Sequence, residues 1–130
     1  MIAPDGYPII NPPWGQLTSI DIENATINWQ VPLGHHNSLS EVYQSPTGTQ
    51  NYGGPIITSG GLIFIAATSD EKIRAFDITN GNEVWSYDLP YGGYATPASY
   101  MVDGVQYIVI ACGGGKLGTN SGDIYMSFSL

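Results

Sequence analysis

The sequence predicts an all-β fold made of repeated antiparallel sheets, and three observations predict it. Its 130 residues include 17 glycines and 9 prolines, a fifth of the chain, spaced between short hydrophobic segments rich in aromatic and β-branched residues. Two stretches resemble each other, Leu17-Thr18-Ser19-Ile20-Asp21 running on to Trp29, and Ile73-Arg74-Ala75-Phe76-Asp77 running on to Trp85. The aspartates of the two stretches lie 56 residues apart, as do the tryptophans. Self-similarity at a period of about 50 residues marks a propeller or a solenoid.

The second copy shows what one repeat builds. Residues 72–77 alternate as a short strand, and Asp77 to Gly81 is a turn in which Asn80-Gly81 supplies positive φ. Residues 83–88 form the returning strand, with Val84 and Trp85 on opposite faces. An indole recurring at this position packs between neighbouring sheets, and an aspartate at the strand end accepts turn N–H groups. Upstream lie two more strands, at 55–58 and at the continuously apolar 62–67, the latter buried on both faces. The four strands make one blade, over about residues 53–90.

After it, residues 93–130 hold three more strands, with a hairpin tip at Val102-Asp103-Gly104 and a glycine-rich loop after Cys112. Before it, residues 15–34 hold a half blade. The expectation is a partial β-propeller of about two blades. A closed ring needs roughly four to eight blades. The chain is therefore read as part of a longer protein, as a unit that assembles with copies of itself, or as sheets packed in some other way. Open sheet edges invite self-association.

Composition excludes several functions. With 3 basic against 11 acidic residues the net charge is -8, which argues against nucleic acid and against an anionic membrane surface. The longest apolar runs, 62–67 and 107–112, fall well short of the roughly 18 residues of a membrane helix. The N-terminus lacks the basic and apolar regions of a signal peptide. The single cysteine, Cys112, excludes an internal disulfide and is read as a buried, inert thiol at the end of a strand.

Several segments together resemble the quinoprotein dehydrogenases. They are Asn51-Tyr52-Gly53-Gly54-Pro55-Ile56-Ile57-Thr58, Asp70-Glu71-Lys72-Ile73-Arg74-Ala75-Phe76-Asp77, Leu89-Pro90-Tyr91-Gly92-Gly93-Tyr94-Ala95-Thr96-Pro97 and Gly104-Val105-Gln106-Tyr107-Ile108-Val109-Ile110-Ala111-Cys112-Gly113-Gly114-Gly115. Pro12-Pro13-Trp14-Gly15-Gln16-Leu17 and Gly118-Thr119-Asn120-Ser121-Gly122-Asp123 extend the resemblance nearly end to end. The best match is the C-terminal part of the membrane-type glucose dehydrogenases that depend on pyrroloquinoline quinone (PQQ). The resemblance implies an eight-bladed propeller with tryptophan-docked blades and PQQ on its axis beside a calcium or magnesium ion. It also implies an aldose or alcohol substrate, transfer of electrons to ubiquinone or a cytochrome, and a periplasmic or membrane-associated location.

Site residues follow from the resemblance one at a time. Tyr52 stands where related alcohol dehydrogenases hold an aromatic near the quinone, and such a ring meets the edge of a planar cofactor. Gly114, Gly115 and Lys116 occupy the other contact zone, where glycines admit close backbone approach and the lysine pairs with a carboxylate of the cofactor. Asn51 and Thr96 are candidates by position. The family's catalytic base and metal ligands come from earlier blades, and their motifs are not found in this sequence. No catalytic or metal residue is assigned. Asp70-Glu71, adjacent carboxylates in a turn, are read as solvated, and His35-His36 as pointing apart with no partner pattern. The functional expectation is a segment that contributes blades and part of the quinone site and is inactive alone. The alternatives are a non-enzymatic propeller scaffold for protein contacts, or a truncated reading frame with no independent role.

Overall fold

The computed structural model describes residues 2–39 and 41–129. Its strands are β1 (Gln16–Asp21), β2 (Thr26–Pro32), β3 (Ile56–Ile57), β4 (Leu62–Ile65), β5 (Lys72–Asp77), β6 (Glu83–Asp88), β7 (Ala98–Val102), β8 (Val105–Gly114) and β9 (Ser121–Ser129). One 3-10 turn, Asn37–Leu39, follows β2. The strands pair antiparallel in three sheets, β1-β2, β3-β4-β5-β6 and β7-β8-β9. These are the two, four and three strands expected from the repeat.

The repeat is structural as well as sequential. A bulge falls between Ser19 and Ile20 in the first copy and between Ala75 and Phe76 in the second, at the same 56-residue interval. Each copy then closes its turn around an aspartate. Asp21 Oδ1 accepts the N–H groups of Glu23 and Asn24 at 2.9 and 3.1 Å. Asp77 Oδ1 accepts the Thr79 N–H at 2.7 Å and its hydroxyl at 2.6 Å. Four residues past each aspartate the chain turns left-handed, with φ +73° at Gly81 and φ +53° at Ala25. Glycine carries no penalty there, whereas an alanine costs about 1–2 kcal/mol.

The middle sheet is covered on both faces. Ile63, Ile65 and Phe76 pack with Leu33 against the first sheet, with Leu17, Trp29 and Val31 around them. Phe64, Ile73 and Ala75 pack with Ile108, Ile110 and Cys112 against the third sheet. This is the period-2 alternation of a strand buried on both sides. Trp29 crosses the first interface. Its Nε1–H donates to the Ile78 carbonyl at 2.9 Å, and its ring lies where a Cβ on Gly81 would come within 2.6 Å of it. Trp85 leans the other way, edge-on to Phe64 and to Phe128 of β9, with ring centroids 6.5 and 5.3 Å apart.

Three boundaries differ from expectation. The strand expected over 62–67 ends at Ile65, because Ala67 turns left-handed at φ +65°. Ala67 remains buried; its N–H donates to the Gly93 carbonyl, and its own carbonyl accepts the Tyr52 N–H. The strand expected over 55–58 pairs only at Ile56–Ile57. The strand β8 continues through Gly114 across a bulge, so Gly113 and Gly114 belong to a strand end and not to a free loop. The expected final strand reached Leu130, which lies outside the described residues.

Replacing Gly81 by valine should lower stability by about 3 kcal/mol in urea unfolding, since it adds strain at positive φ to a clash with the Trp29 ring. Gly104→Ala, also at positive φ but facing open space, should cost only about 1 kcal/mol. Ala25→Gly should raise stability by up to about 1 kcal/mol.

Candidate functional site

The loop joining the first and second sheets is pinned on both sides. The Gly48 and Thr49 N–H groups donate to the carbonyls of Gly34 and Leu33, and Trp14 N–H donates to the Thr47 carbonyl. Thr47 and Thr49 are fully buried. Asn51 pairs with Thr68 as an isolated bridge, and Tyr52 N–H reaches the Ala67 carbonyl at 2.7 Å. Gly53, at φ +145°, passes so close to Tyr94 that a Cβ would sit 2.9 Å from the Tyr94 carbonyl oxygen. Held in this way, the Tyr52 ring projects outward and is half exposed.

Lys116 meets it there. The Lys116 Nζ lies 3.8 Å from the centroid of the Tyr52 ring, a cation–π contact between two residues 64 positions apart. The turn carrying the lysine is held by its own carbonyl, which accepts the Thr119 N–H at 2.9 Å and the Thr119 hydroxyl at 2.7 Å. The buried Tyr94 closes the link, its hydroxyl 3.0 Å from Thr119 Oγ1. Burial, chiefly, pushes the Tyr94 phenol above its ordinary pKa, so it stays a neutral hydrogen-bonding group. Tyr94 thus touches both the Gly53 backbone and the Lys116 turn. The reading by resemblance quoted it only as part of a motif. The glycines flanking it were the available signal, since Gly92 and Gly93 leave no room for a Cβ against Tyr94 and Ile110 respectively.

The other expected residues divide. Thr96 lies near Gly54, its Oγ1 3.0 Å from where a Cβ would stand, and so borders the same loop as Asn51 and Tyr52. Gly114 and Gly115 adopt φ +53° and +72°. Their N–H groups donate to the carbonyls of Gly92 and Asn120. Both amides are therefore already engaged within the protein.

Asp70 is a correction. The expected solvated carboxylate is buried, its side chain only 5% exposed, and so is that of Arg74. Two guanidinium nitrogens of Arg74 donate to the two carboxylate oxygens. The Thr68 hydroxyl donates to Oδ1, and the His35 backbone N–H donates to Oδ2 at 2.8 Å. The reason is the i,i+4 placement of Arg74 on β5, which folds the 68–71 turn back between the sheets. Burial works against ionisation of Asp70. The hydrogen bonds and charge of Arg74, with those of Thr68 and His35, outweigh it and lower the pKa. Glu71 stays half exposed. His35 and His36 diverge. His35 Nδ1 accepts the Thr47 N–H at 3.2 Å, while the His36 ring stands edge-on to Trp14 and Tyr7 with centroids 5.4 and 5.5 Å away. Cys112 is fully buried, and burial raises its thiol pKa. Among the described residues no three or more of His, Cys, Asp and Glu group together as a metal site.

The stacked antiparallel sheets, tied by a docked tryptophan and carrying paired rim loops, define a segment of a β-propeller. Residues 1–108 match the family described as the PQQ glucose/ethanol/alcohol dehydrogenase β-propeller domain, and the chain belongs to that family. It is 38% identical over 134 residues to quinoprotein glucose dehydrogenase A of Acinetobacter calcoaceticus, covering 99% of this chain and 17% of that protein. It is 39% identical over 132 residues to a quinate/shikimate dehydrogenase (quinone) of Acinetobacter baylyi, covering 96% of this chain and 16% of that one. The chain therefore spans about a sixth of the length of these relatives. Among solved structures, a quinohemoprotein alcohol dehydrogenase from Pseudomonas putida HK5 superposes with a TM-score of 0.60 at 28% identity, over 77% of this chain and 12% of that one. A second, from Comamonas testosteroni, gives a TM-score of 0.65 at 23% identity over 88% and 16%, which supports the fold. No helix among the described residues is long and apolar enough to cross a membrane.

Asp70→Asn should cost about 3 kcal/mol in chemical denaturation, because it removes the buried counter-charge of Arg74 and leaves the guanidinium only the half-exposed Glu83. The folded pKa of Asp70 lies below its unfolded value, so its stabilisation is present above the unfolded pKa and is lost as pH falls through the folded one. Acid unfolding below about pH 4 should accordingly be less steep in Asp70→Asn than in the parent chain.

Proposed function

We propose that this chain is the C-terminal part of a PQQ-dependent aldose or cyclic-polyol dehydrogenase, contributing propeller blades and one edge of the quinone site, and inactive alone. The observation that carries this reading is the Tyr52–Lys116 contact. An outward-facing ring and an ammonium converge from two rim loops, and that pairing suits a flat, polycarboxylated cofactor: ring against edge, ammonium against carboxylate. Bound, PQQ supplies the acceptor for a hydride and its two electrons. The roles of this chain's own residues are then to bind and orient. Lys116 neutralises a carboxylate, Tyr52 stacks or abuts, Asn51 and Thr96 border the same loop, and Gly114 and Gly115 keep the backbone low beneath it. Tyr94 positions both loops.

The divalent ion, calcium or magnesium, finds no ligand set among the described residues. Asp70, the buried carboxylate near the site, is consumed by Arg74. No step is assigned through the ion to this chain, and its ligands and the catalytic base are assigned to other blades. The electron acceptor is taken to be ubiquinone or a cytochrome, and the compartment the periplasm or its membrane face. The partner is the remainder of the propeller, or other copies of the chain. Ile20, Ile22 and Ile27 on the first sheet and its turn, and Tyr100, Val102 and Val105 on the third, are exposed apolar residues that such a neighbour would cover. A scaffold without cofactor would share the blades but has no use for a lysine held over an outward tyrosine.

Two measurements test the reading. Titration with PQQ and calcium should shift the quinone absorption, and Lys116→Gln or Tyr52→Ala should weaken that binding by about tenfold. No binding at millimolar cofactor by the chain or by the enzyme that carries it would leave the scaffold reading. Light scattering at micromolar concentration should show association of the isolated chain, and a clean monomer would count against open, unpaired edges.

A further inference from the structure

The turn between β5 and β6 holds Asn80-Gly81, the one place in the chain where glycine follows asparagine. An asparagine carboxamide is open to attack by the backbone nitrogen of the next residue. That nitrogen loses its proton to solvent hydroxide and bonds to the side-chain Cγ, the Cγ–Nδ2 bond breaks, and ammonia leaves. Water then opens the five-membered imide at either carbonyl, which leaves aspartate or isoaspartate. Glycine is the most permissive follower, because no Cβ hinders the attack and its backbone is free to turn into the ring.

Asn80 is exposed, but the nitrogen that would attack it is held. Gly81 is buried, and its N–H donates to the Asp77 carbonyl at 2.8 Å. The Asn80 Oδ1 accepts the Asn82 N–H at 2.8 Å, which fixes the carboxamide. Over Gly81 lies the benzo edge of Trp29, three of whose atoms would come within 3.0 Å of a Cβ there. The indole is itself tied down by its bond to the Ile78 carbonyl at 2.9 Å. Closing the imide would swing the Gly81 peptide, and all of these contacts oppose the swing. The first copy of the repeat gives the comparison. Asn24 stands 56 residues before Asn80 and is followed by Ala25, which is exposed and whose methyl group hinders attack. In the second copy the follower has to be glycine, because an indole lies on it.

We propose that Asn80 is a deamidation site gated by Trp29, closed while the indole is docked on Gly81 and open when the first sheet lifts from the second. The glycine that admits the indole is also the residue that makes its neighbour reactive, so docking and protection are one contact. The modification also works against redocking. Isoaspartate inserts an extra methylene into the main chain directly before Gly81, and either product adds a negative charge to a turn that already holds Asp77. The site therefore converts a transient parting of two sheets into a lasting one. None of this rests on the dehydrogenase reading.

The test is a time course at mildly alkaline pH, read by peptide mass spectrometry as the mass gain of an amide becoming an acid. Trypsin cuts after Lys72, Arg74 and Lys116, so residues 75–116 carry Asn80 and Asn82, and residues 117–130 carry Asn120. In the folded 130-residue chain Asn80 should deamidate at least about tenfold more slowly than in concentrated urea, since reaction then waits on local opening. Trp29→Phe keeps an apolar ring but loses the Nε1–H bond and the benzo edge. It should raise the folded-state rate at Asn80 about threefold or more and leave Asn120, on the Lys116 loop, at its parent rate. The Asn120 rate thus separates local undocking from general unfolding. Asn80→Gln should abolish the gain in residues 75–116. Equal Asn80 rates in the folded and the urea-unfolded parent, a rate unchanged by Trp29→Phe, one that rises only in step with Asn120, or a gain that persists in Asn80→Gln would overturn the proposal.

Discussion

A carboxylate and a guanidinium buried together between the first two sheets govern much of this molecule. Asp70 and Arg74 satisfy each other, and Thr68 and the His35 N–H take up the remaining lone pairs. Glu83 accepts the guanidinium Nε–H at 3.2 Å from the neighbouring strand. Such a pair gains little over an apolar filling, since desolvation offsets most of its attraction, but it is intolerant of losing one partner. Its effect is geometric. It ties the backbone at the end of the first sheet to the turn between β4 and β5, and the Thr47–Thr49 segment threads beside that tie. The rim loop bearing Asn51 and Tyr52 leaves directly from there.

The two copies of the repeat show how one pattern is used in two settings. Their bulges and aspartate turns coincide, because these depend on short-range hydrogen bonds within a few residues. The tryptophans diverge. Trp29 reaches the turn of the next sheet and finds both a carbonyl for its Nε1–H and a glycine under its ring. Trp85 faces a sheet that shows three strands among the described residues, and it packs on Phe128 while keeping 38% of its surface exposed. Similar local sequence therefore gives the same strand and turn but not the same contact. The contact belongs to whatever lies opposite.

The candidate site has the same logic. Tyr52, Tyr94 and Lys116 come from three separate connections, each held by backbone hydrogen bonds to a sheet end. Rigid sheets supply the position, and the loops supply the chemistry. The cost is paid in glycine. Gly53 passes Tyr94 so closely, and Gly114 turns so tightly against Asn120, that side chains there have no room. Both glycines thus let stretches of protein backbone approach one another.

Strand positions, the turn at Asp77–Gly81 and the repeated-sheet architecture were legible in the chain itself, because alternation, Asn-Gly turns and a 56-residue repeat are local or periodic signals, while the family was legible by resemblance. Tyr52 and Lys116 were legible as separate candidates, by resemblance. Their meeting across the Gly53–Tyr94–Thr119 link was not, since nothing in a linear pattern encodes a contact between residues 64 apart. Nor was the fate of Asp70, because two acidic residues in a turn look solvated until a buried arginine four positions on draws one of them inward. Local hydrogen bonding and hydrophobic period decide elements. Burial, which needs a second surface, decides which side chains become neutral, paired or available, and only the packed sheets provide that surface.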